Sequence, residues 1–113
     1  MQVTFAAPDS GRSYFERFLT GLSVADRAVI LAVFEDIRDY GFAAKGCEFR
    51  HIEGKLWETK IRAPTGGYRF FYVMITTEHM RVLHSYKKQG PKAPVKELKV
   101  ARQRLREVLR NEK

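Results

Sequence analysis

The sequence predicts an α+β domain, a single one over residues 1–113, in which a short strand and two helices precede an antiparallel meander and a third helix follows it. Three observations predict this. Apolar residues recur at helical spacing up to about residue 40, alternate with polar ones from Leu56, and return to helical spacing after Pro94. The alternating segments are joined by Pro64-Thr65-Gly66-Gly67 and by a tight turn near Thr77-Glu78, turn chemistry that connects neighbouring antiparallel strands. A chain of 113 residues can bury one core and is too short for two.

Gln2 to Ala6 alternates as a short strand and is closed by Pro8. Ser10 offers an N-cap for a helix whose apolar positions are Tyr14, Phe15, Phe18, Leu19 and Leu22, and Gly21 breaks it. Ser23 and Asp26 form a variant capping box, with Asp where Glu is usual, and open a second helix to about Tyr40. Its middle, AVILAVF, is apolar nearly all round and is expected to be buried on more than one side. Gly41 is placed to cap its end. Phe42 to Lys55 reads as a loop with a short strand at Glu48–Ile52. Leu56–Ala63, Tyr68–Thr76 and His79–Lys87 are the meander strands. The last helix runs from about Pro94 to Arg110, with Leu98, Ala101, Leu105 and Val108 as its apolar stripe and Lys96, Lys99, Arg102, Arg106 and Arg110 as a basic surface. The order is β-α-α-β-β-β-α, with the helices expected on one face of the sheet and the other face free for function.

The formal charge of +8 is unevenly placed. Residues 1–40 hold four Arg and six Asp or Glu, a net of −2, whereas residues 41–113 hold seventeen Lys or Arg and seven acids, a net of +10. That imbalance favours a polyanionic partner such as nucleic acid over a basic surface that serves only solubility. One cysteine, Cys47, excludes an intrachain disulfide and a cysteine metal cluster. The first residues carry no secretory pattern, and the longest apolar run, Ala28 to Phe34, is far below the ~18 residues of a membrane span. A soluble, cytoplasmic protein with no membrane partner is expected.

Alternation along the first meander strand puts Trp57, Thr59 and Ile61 on one side, toward the helix-covered core, and Leu56, Glu58, Lys60 and Arg62 on the other. Arg69, set among Tyr68, Phe70, Phe71 and Tyr72, is expected near Arg62 across the hairpin. Lys60, Arg62, Arg69 and Lys88 gathered at one end of a sheet repel one another, and a phosphate relieves that repulsion. Glu58, Lys60, His84 and Tyr86 can carry protons. RNA cleavage needs no metal or other cofactor, because the 2′-hydroxyl is the nucleophile; it needs a base, a cation on the non-bridging oxygens and an acid for the leaving oxygen. Tyr68, Lys87 and Lys92 join Arg62 as candidate RNA contacts, Tyr68 by stacking a base. Each has a plainer reading beside it. Glu58 can be the ion-pair partner of Arg69, His84 a hydrogen-bonded core residue, Tyr68 packing, and Lys87-Lys88 a solvated turn.

The runs GKLWETKIRAPTGGYRFFY and VLHSYKKQGPKAPVKELKVARQRL resemble the RelE/ParE toxin superfamily of type II toxin–antitoxin systems, with the HigB-like, phage-derived branch most similar. The residues that carry the resemblance are Leu56-Trp57-Glu58, Tyr68-Arg69, Lys87-Lys88, Pro94, Glu97 and Ala101-Arg102, and it covers about residues 40–110. It implies a RelE-like fold and an mRNA endoribonuclease that acts on the ribosome, inhibits translation and is silenced by a cognate antitoxin, commonly a helix-turn-helix protein. The family's phosphate-gripping Arg then falls at Arg69, its first-strand base at Lys60, and the base after the third strand at Lys87 or Lys88. RelE itself has a Tyr in its C-terminal segment, whereas no Tyr follows Tyr86 here, which leaves Glu58, His84 or Tyr86 to complete the acid–base set. Two further readings stand beside this one: a non-catalytic ParE-like toxin that binds DNA gyrase, and a degenerate basic nucleic-acid-binding module.

Overall fold

The computed structural model describes residues 1–91 and 94–111. Strand β1 (Gln2–Phe5) leads into helices α1 (Tyr14–Thr20) and α2 (Val24–Tyr40), and a single 3-10 turn (Gly41–Ala43) follows. Strands β2 (Cys47–Glu53), β3 (Leu56–Ala63), β4 (Gly66–Thr76) and β5 (His79–Lys87) then run as a continuous antiparallel meander, and α3 (Val95–Asn111) ends the described chain. Among the described residues no helix is long and apolar enough to cross a membrane.

Local chemistry sets the helix ends. α1 is capped by Ser13, whose hydroxyl accepts from the Glu16 N–H at 3.1 Å, rather than by Ser10. Ser13 sits immediately before the first helical residue, where its hydroxyl meets an otherwise unpaired amide; Ser10 lies too far back for that. Ser23 caps α2 by accepting from the Asp26 N–H at 3.2 Å. The Asp26 carboxylate does not complete a capping box but leaves the helix altogether, as described below. Gly41 ends α2 at φ +60°, a backbone conformation that suits glycine. The AVILAVF stretch buries Ile30, Val33 and Phe34 but leaves Leu31 44% exposed. One sheet face covers one side of a helix, and no further layer lies outside α2 to cover the rest.

The sheet has five strands in the order β1-β5-β4-β3-β2. It is mixed rather than wholly antiparallel, because β1 lies parallel to β5, with Gln2 opposite His79 and Phe5 opposite Val82. The α1–α2 pair covers one face through Phe15, Leu19, Ile30, Val33, Phe34 and Ile37, packed on Ile61, Tyr68, Phe70, Tyr72, Met80 and Val82. Aromatic rings join these layers: Phe15 lies 5.1 Å from Phe34, and Phe34 lies 5.2 Å from Phe70, both edge to face.

The second face is not left free. α3 lays Leu98, Ala101, Leu105 and Val108, the stripe read from the sequence, on Leu56, Phe71, Val73, Leu83 and Tyr86. β4 is therefore buried on both faces through its middle, which explains its near-continuous run of apolar residues. Phe70 is fully buried at the centre of the first interface. Phe70→Ala is expected to lower unfolding free energy by about 3–5 kcal/mol, measured by urea denaturation.

Candidate nucleic-acid interface

The site is built on the hairpin of β3 and β4. Its turn is fixed from outside the sheet by Asp26, a buried carboxylate at the start of α2. Asp26 accepts from the Thr65 amide at 3.0 Å, from the Thr65 hydroxyl and from the Tyr68 hydroxyl at 2.6 Å. The hydrogen bond from the Thr65 hydroxyl, then that from Tyr68, holds the Asp26 carboxyl below its ordinary value. Burial, and then the bond to Asp26, raises Tyr68. Lys87 completes this group by donating to the Thr65 hydroxyl at 2.9 Å, with its ammonium 5.7 Å from the centre of the Tyr68 ring.

This places two predicted RNA contacts away from the cationic face. Tyr68 is buried under the α1–α2 pair with its hydroxyl engaged, so it presents no ring face to a base. Lys87 pairs with Tyr68 across the strands and therefore points to the same side. Alternation alone puts Tyr68 opposite in direction to Arg69. Lys92 lies outside the described residues.

On the other face, Lys60 pairs with Arg69 and Arg69 with Tyr86, one continuous row across three strands. Arg69 thus lies opposite Lys60 rather than Arg62; Arg62 pairs with Gly67, where no side chain opposes it. Lys88 is held beside them by its amide, which donates to the Gly67 carbonyl at 2.8 Å. Glu48 pairs with Lys60 from the edge strand. Glu48, Lys60, Arg62, Arg69 and Lys88 line an open cleft of about 380 Å³, together with Gly46, Cys47, Ile61, Gly67 and Tyr68. No residue of α3 reaches it.

The next row along the strands is Arg50, Glu58, Phe71 and His84. Glu58 has no exposed surface. Its Oε1 accepts from Arg69 Nη1 at 2.5 Å and from Arg50 Nη2 at 3.2 Å, while Oε2 is buried and has no hydrogen-bond partner among the described residues. The guanidinium in an aromatic strand therefore has a structural task. It neutralises a carboxylate that the core could not otherwise hold. Glu58 in turn offsets the repulsion between Lys60 and Arg69.

The remaining two proton-carrying candidates are also enclosed. His84 is gripped by α3: Nε2 lies 2.9 Å from Glu97 Oε1, and Nδ1 lies 3.1 Å from Arg104 Nη1. A guanidinium only donates, so Nδ1 is the acceptor and Nε2–H donates to Glu97, which is the neutral tautomer. Burial pushes His84 below its ordinary value, against the hydrogen bond to Glu97. Tyr86 is buried, stacks on Phe71 at 5.7 Å, and is raised first by burial and then by the charge of Glu58. Among the described residues no three His, Cys, Asp or Glu side chains are grouped closely enough to hold a metal ion.

The structure thus brings together Lys60, Arg62, Arg69 and Lys88, with Tyr86 in the Arg69 row and Glu58 beneath it. It assigns His84 to the α3 contact. Sequence reasoning missed Arg50, Glu48 and Asp26. The first two alternate on β2 in step with Glu58 and Lys60, but only the pairing of β2 with β3 shows that they share the face.

A small α+β domain with a five-stranded mixed sheet and three helices is compatible with a RelE-like fold. The chain belongs to the family described as Phage derived protein Gp49-like (DUF891), whose model matches residues 17–106. That family is part of the RelE/ParE-like toxins of toxin–antitoxin systems, and it implies a cognate antitoxin as partner. No curated protein matches the chain in sequence.

Two outcomes follow from this geometry. Arg69→Ala leaves the buried Glu58 charge with the half-exposed Arg50 alone and is expected to cost about 3 kcal/mol in a urea titration, with Arg69→Lys costing less. His84 faces Glu97, Arg104 and Lys96, and its depressed folded value means that its contribution is complete above its ordinary 6.5 and lost as pH falls below it. The melting temperature of the wild type should therefore drop more between pH 7 and pH 5 than that of His84→Gln.

Proposed function

We propose that this protein is a HigB-like toxin that cleaves mRNA on translating ribosomes in the cytoplasm, without a metal ion. The observation that carries the reading is the direct pairing of Lys60 with Arg69 at the open end of the sheet, beyond the part that α3 covers, flanked by Arg62 and Lys88. Glu58 offsets part of the repulsion between these two fixed cations, and the excess positive charge that remains at the cleft suits an anion. Attack of the 2′-hydroxyl on the adjacent phosphorus, with its proton passing to water in the open cleft and the bond from phosphorus to the 5′-oxygen breaking, builds negative charge on the non-bridging oxygens. Arg69 has one N–H committed to Glu58 and others with which to meet that charge, and Lys60 meets it from the neighbouring strand. Lys88 and Arg62 hold the flanking backbone. Tyr86, raised by its surroundings, keeps its proton but is buried behind Arg69 in the same row, so the leaving 5′-oxygen takes its proton from water in the open cleft. Glu58, enclosed by its two arginines, serves as anchor.

A second concavity lies on the helical face. It is an apolar groove of about 640 Å³ lined by Phe42, Phe49, Trp57, Tyr72, Met74, Thr76 and Thr77, with Phe42 51% and Trp57 37% exposed. Without a charged lining residue it suits a protein rather than RNA. In the nuclease reading this surface is left for the antitoxin, a helix-turn-helix protein. The same groove supports the competing reading, a non-catalytic toxin that binds DNA gyrase.

The test is induced expression with mapping of mRNA 5′ ends, comparing wild type with Lys60→Ala, which removes no buried ion pair. Cuts inside translated codons should fall by about 10²-fold in the variant. Growth arrest with intact mRNA would exclude cleavage and direct attention to the apolar groove.

A further inference from the structure

We infer that Arg50 is a second RNA-binding arginine, which grips the phosphate next to the scissile one, and that Glu58 is the positioning residue that aims it. This rests on the nuclease reading above. Arg50 lies on edge strand β2 directly opposite Glu58, on the same face as Lys60 and Arg69. Its side chain is 52% exposed, whereas that of Arg69 is 11% exposed. Both guanidiniums meet the same oxygen of Glu58, Nη1 of Arg69 at 2.5 Å and Nη2 of Arg50 at 3.2 Å.

A carboxylate can hold a guanidinium with both oxygens, as Glu53 does when it takes Nε and Nη2 of Arg102 at 2.9 and 2.7 Å. Glu58 instead leaves Oε2 buried and unpartnered among the described residues, a costly arrangement. What the single-oxygen bridge achieves is a fixed pair of arginines with a net charge of plus one. Each contributes one N–H to Glu58 and retains others, out of five, for an anion. Arg50 is one row from Lys60 along the strands, about 7 Å. An RNA backbone seated on Lys60 and Arg69 therefore reaches Arg50 with its neighbouring phosphate. A contact to the phosphate backbone adds affinity and register rather than sequence preference.

The experiment measures binding of the full-length protein to a single-stranded RNA with 2′-O-methyl sugars, which cannot be cut, across a salt series. Cleavage of ordinary mRNA is followed beside it in a reconstituted translation reaction. Arg50→Ala should weaken binding and lower the slope of log affinity against log salt by about 0.7, with Arg50→Lys restoring it. Arg106→Ala, an exposed cation on the outer side of α3, should leave the slope unchanged. Arg50 acting only as the partner of Glu58 would shift the melting temperature and not the slope; that result, or an equal drop with Arg106→Ala, overturns the assignment. Glu58→Gln keeps an oxygen for both arginines but removes the charge that fixes them, and should weaken RNA binding and cutting together; a loss of about 10²-fold in cutting with binding unchanged would make Glu58 a proton carrier and overturn its positioning role. Wild-type protein that neither binds with a salt dependence nor cuts would instead reject the nuclease reading itself.

Discussion

The buried contact between Glu58 and Arg69 governs the rest of this structure. A carboxylate with no exposed surface persists in a protein interior only if a cation accompanies it, and a guanidinium, which does not lose its proton, is the most dependable one. Once that pair is set on adjacent strands, Lys60 is carried to a position directly opposite Arg69, and the sheet acquires a point of concentrated positive charge. The hydrophobic layers around it hold the strands in register, so the charged groups cannot relax apart. Core packing and the electrostatics of the cleft are therefore one problem. Weakening the pair affects both.

The two faces of the sheet divide the remaining tasks. α1 and α2 seal one face with a dense aromatic cluster, and from there Asp26 reaches across to tie down the β3–β4 turn. The cationic end thus receives its rigidity from the opposite face. α3 covers the middle of the second face and is locked by Glu97 and Arg104 onto His84, which takes that imidazole out of reach of the cleft. What stays open is the end of the sheet with its basic residues and, across the sheet, the apolar groove around Phe42 and Trp57. The protein separates a cationic surface from an apolar one suited to another protein.

Much of this was legible in the sequence. The helices, the meander, its turns and the apolar stripe of α3 follow from periodicity and from turn and capping residues, all of which act over a few neighbours. The alternation in Leu56-Trp57-Glu58-Thr59-Lys60-Ile61-Arg62 assigns these residues to opposite faces without any knowledge of the partners, and the structure agrees. The cationic character of the second half is a matter of counting charges.

Other features depend on contacts between distant segments. Whether Arg69 meets Arg62 or Lys60 is decided by the length of the turn, and a change of one residue in register alters every pair. Asp26 resembles a helix cap within its own segment; only the approach of Thr65 and Tyr68, some forty residues away, gives it its actual role. The burial of Glu58, Tyr86 and His84 depends on where α3 lies, and the meeting of Arg50 with Glu58 depends on β2 pairing with β3. By itself, then, the sequence determined which elements form and which side chains share a strand face, because those are set by local backbone geometry. The tertiary structure alone decided which charges meet and which groups solvent can reach, because those are set by the packing of segments far apart in the chain.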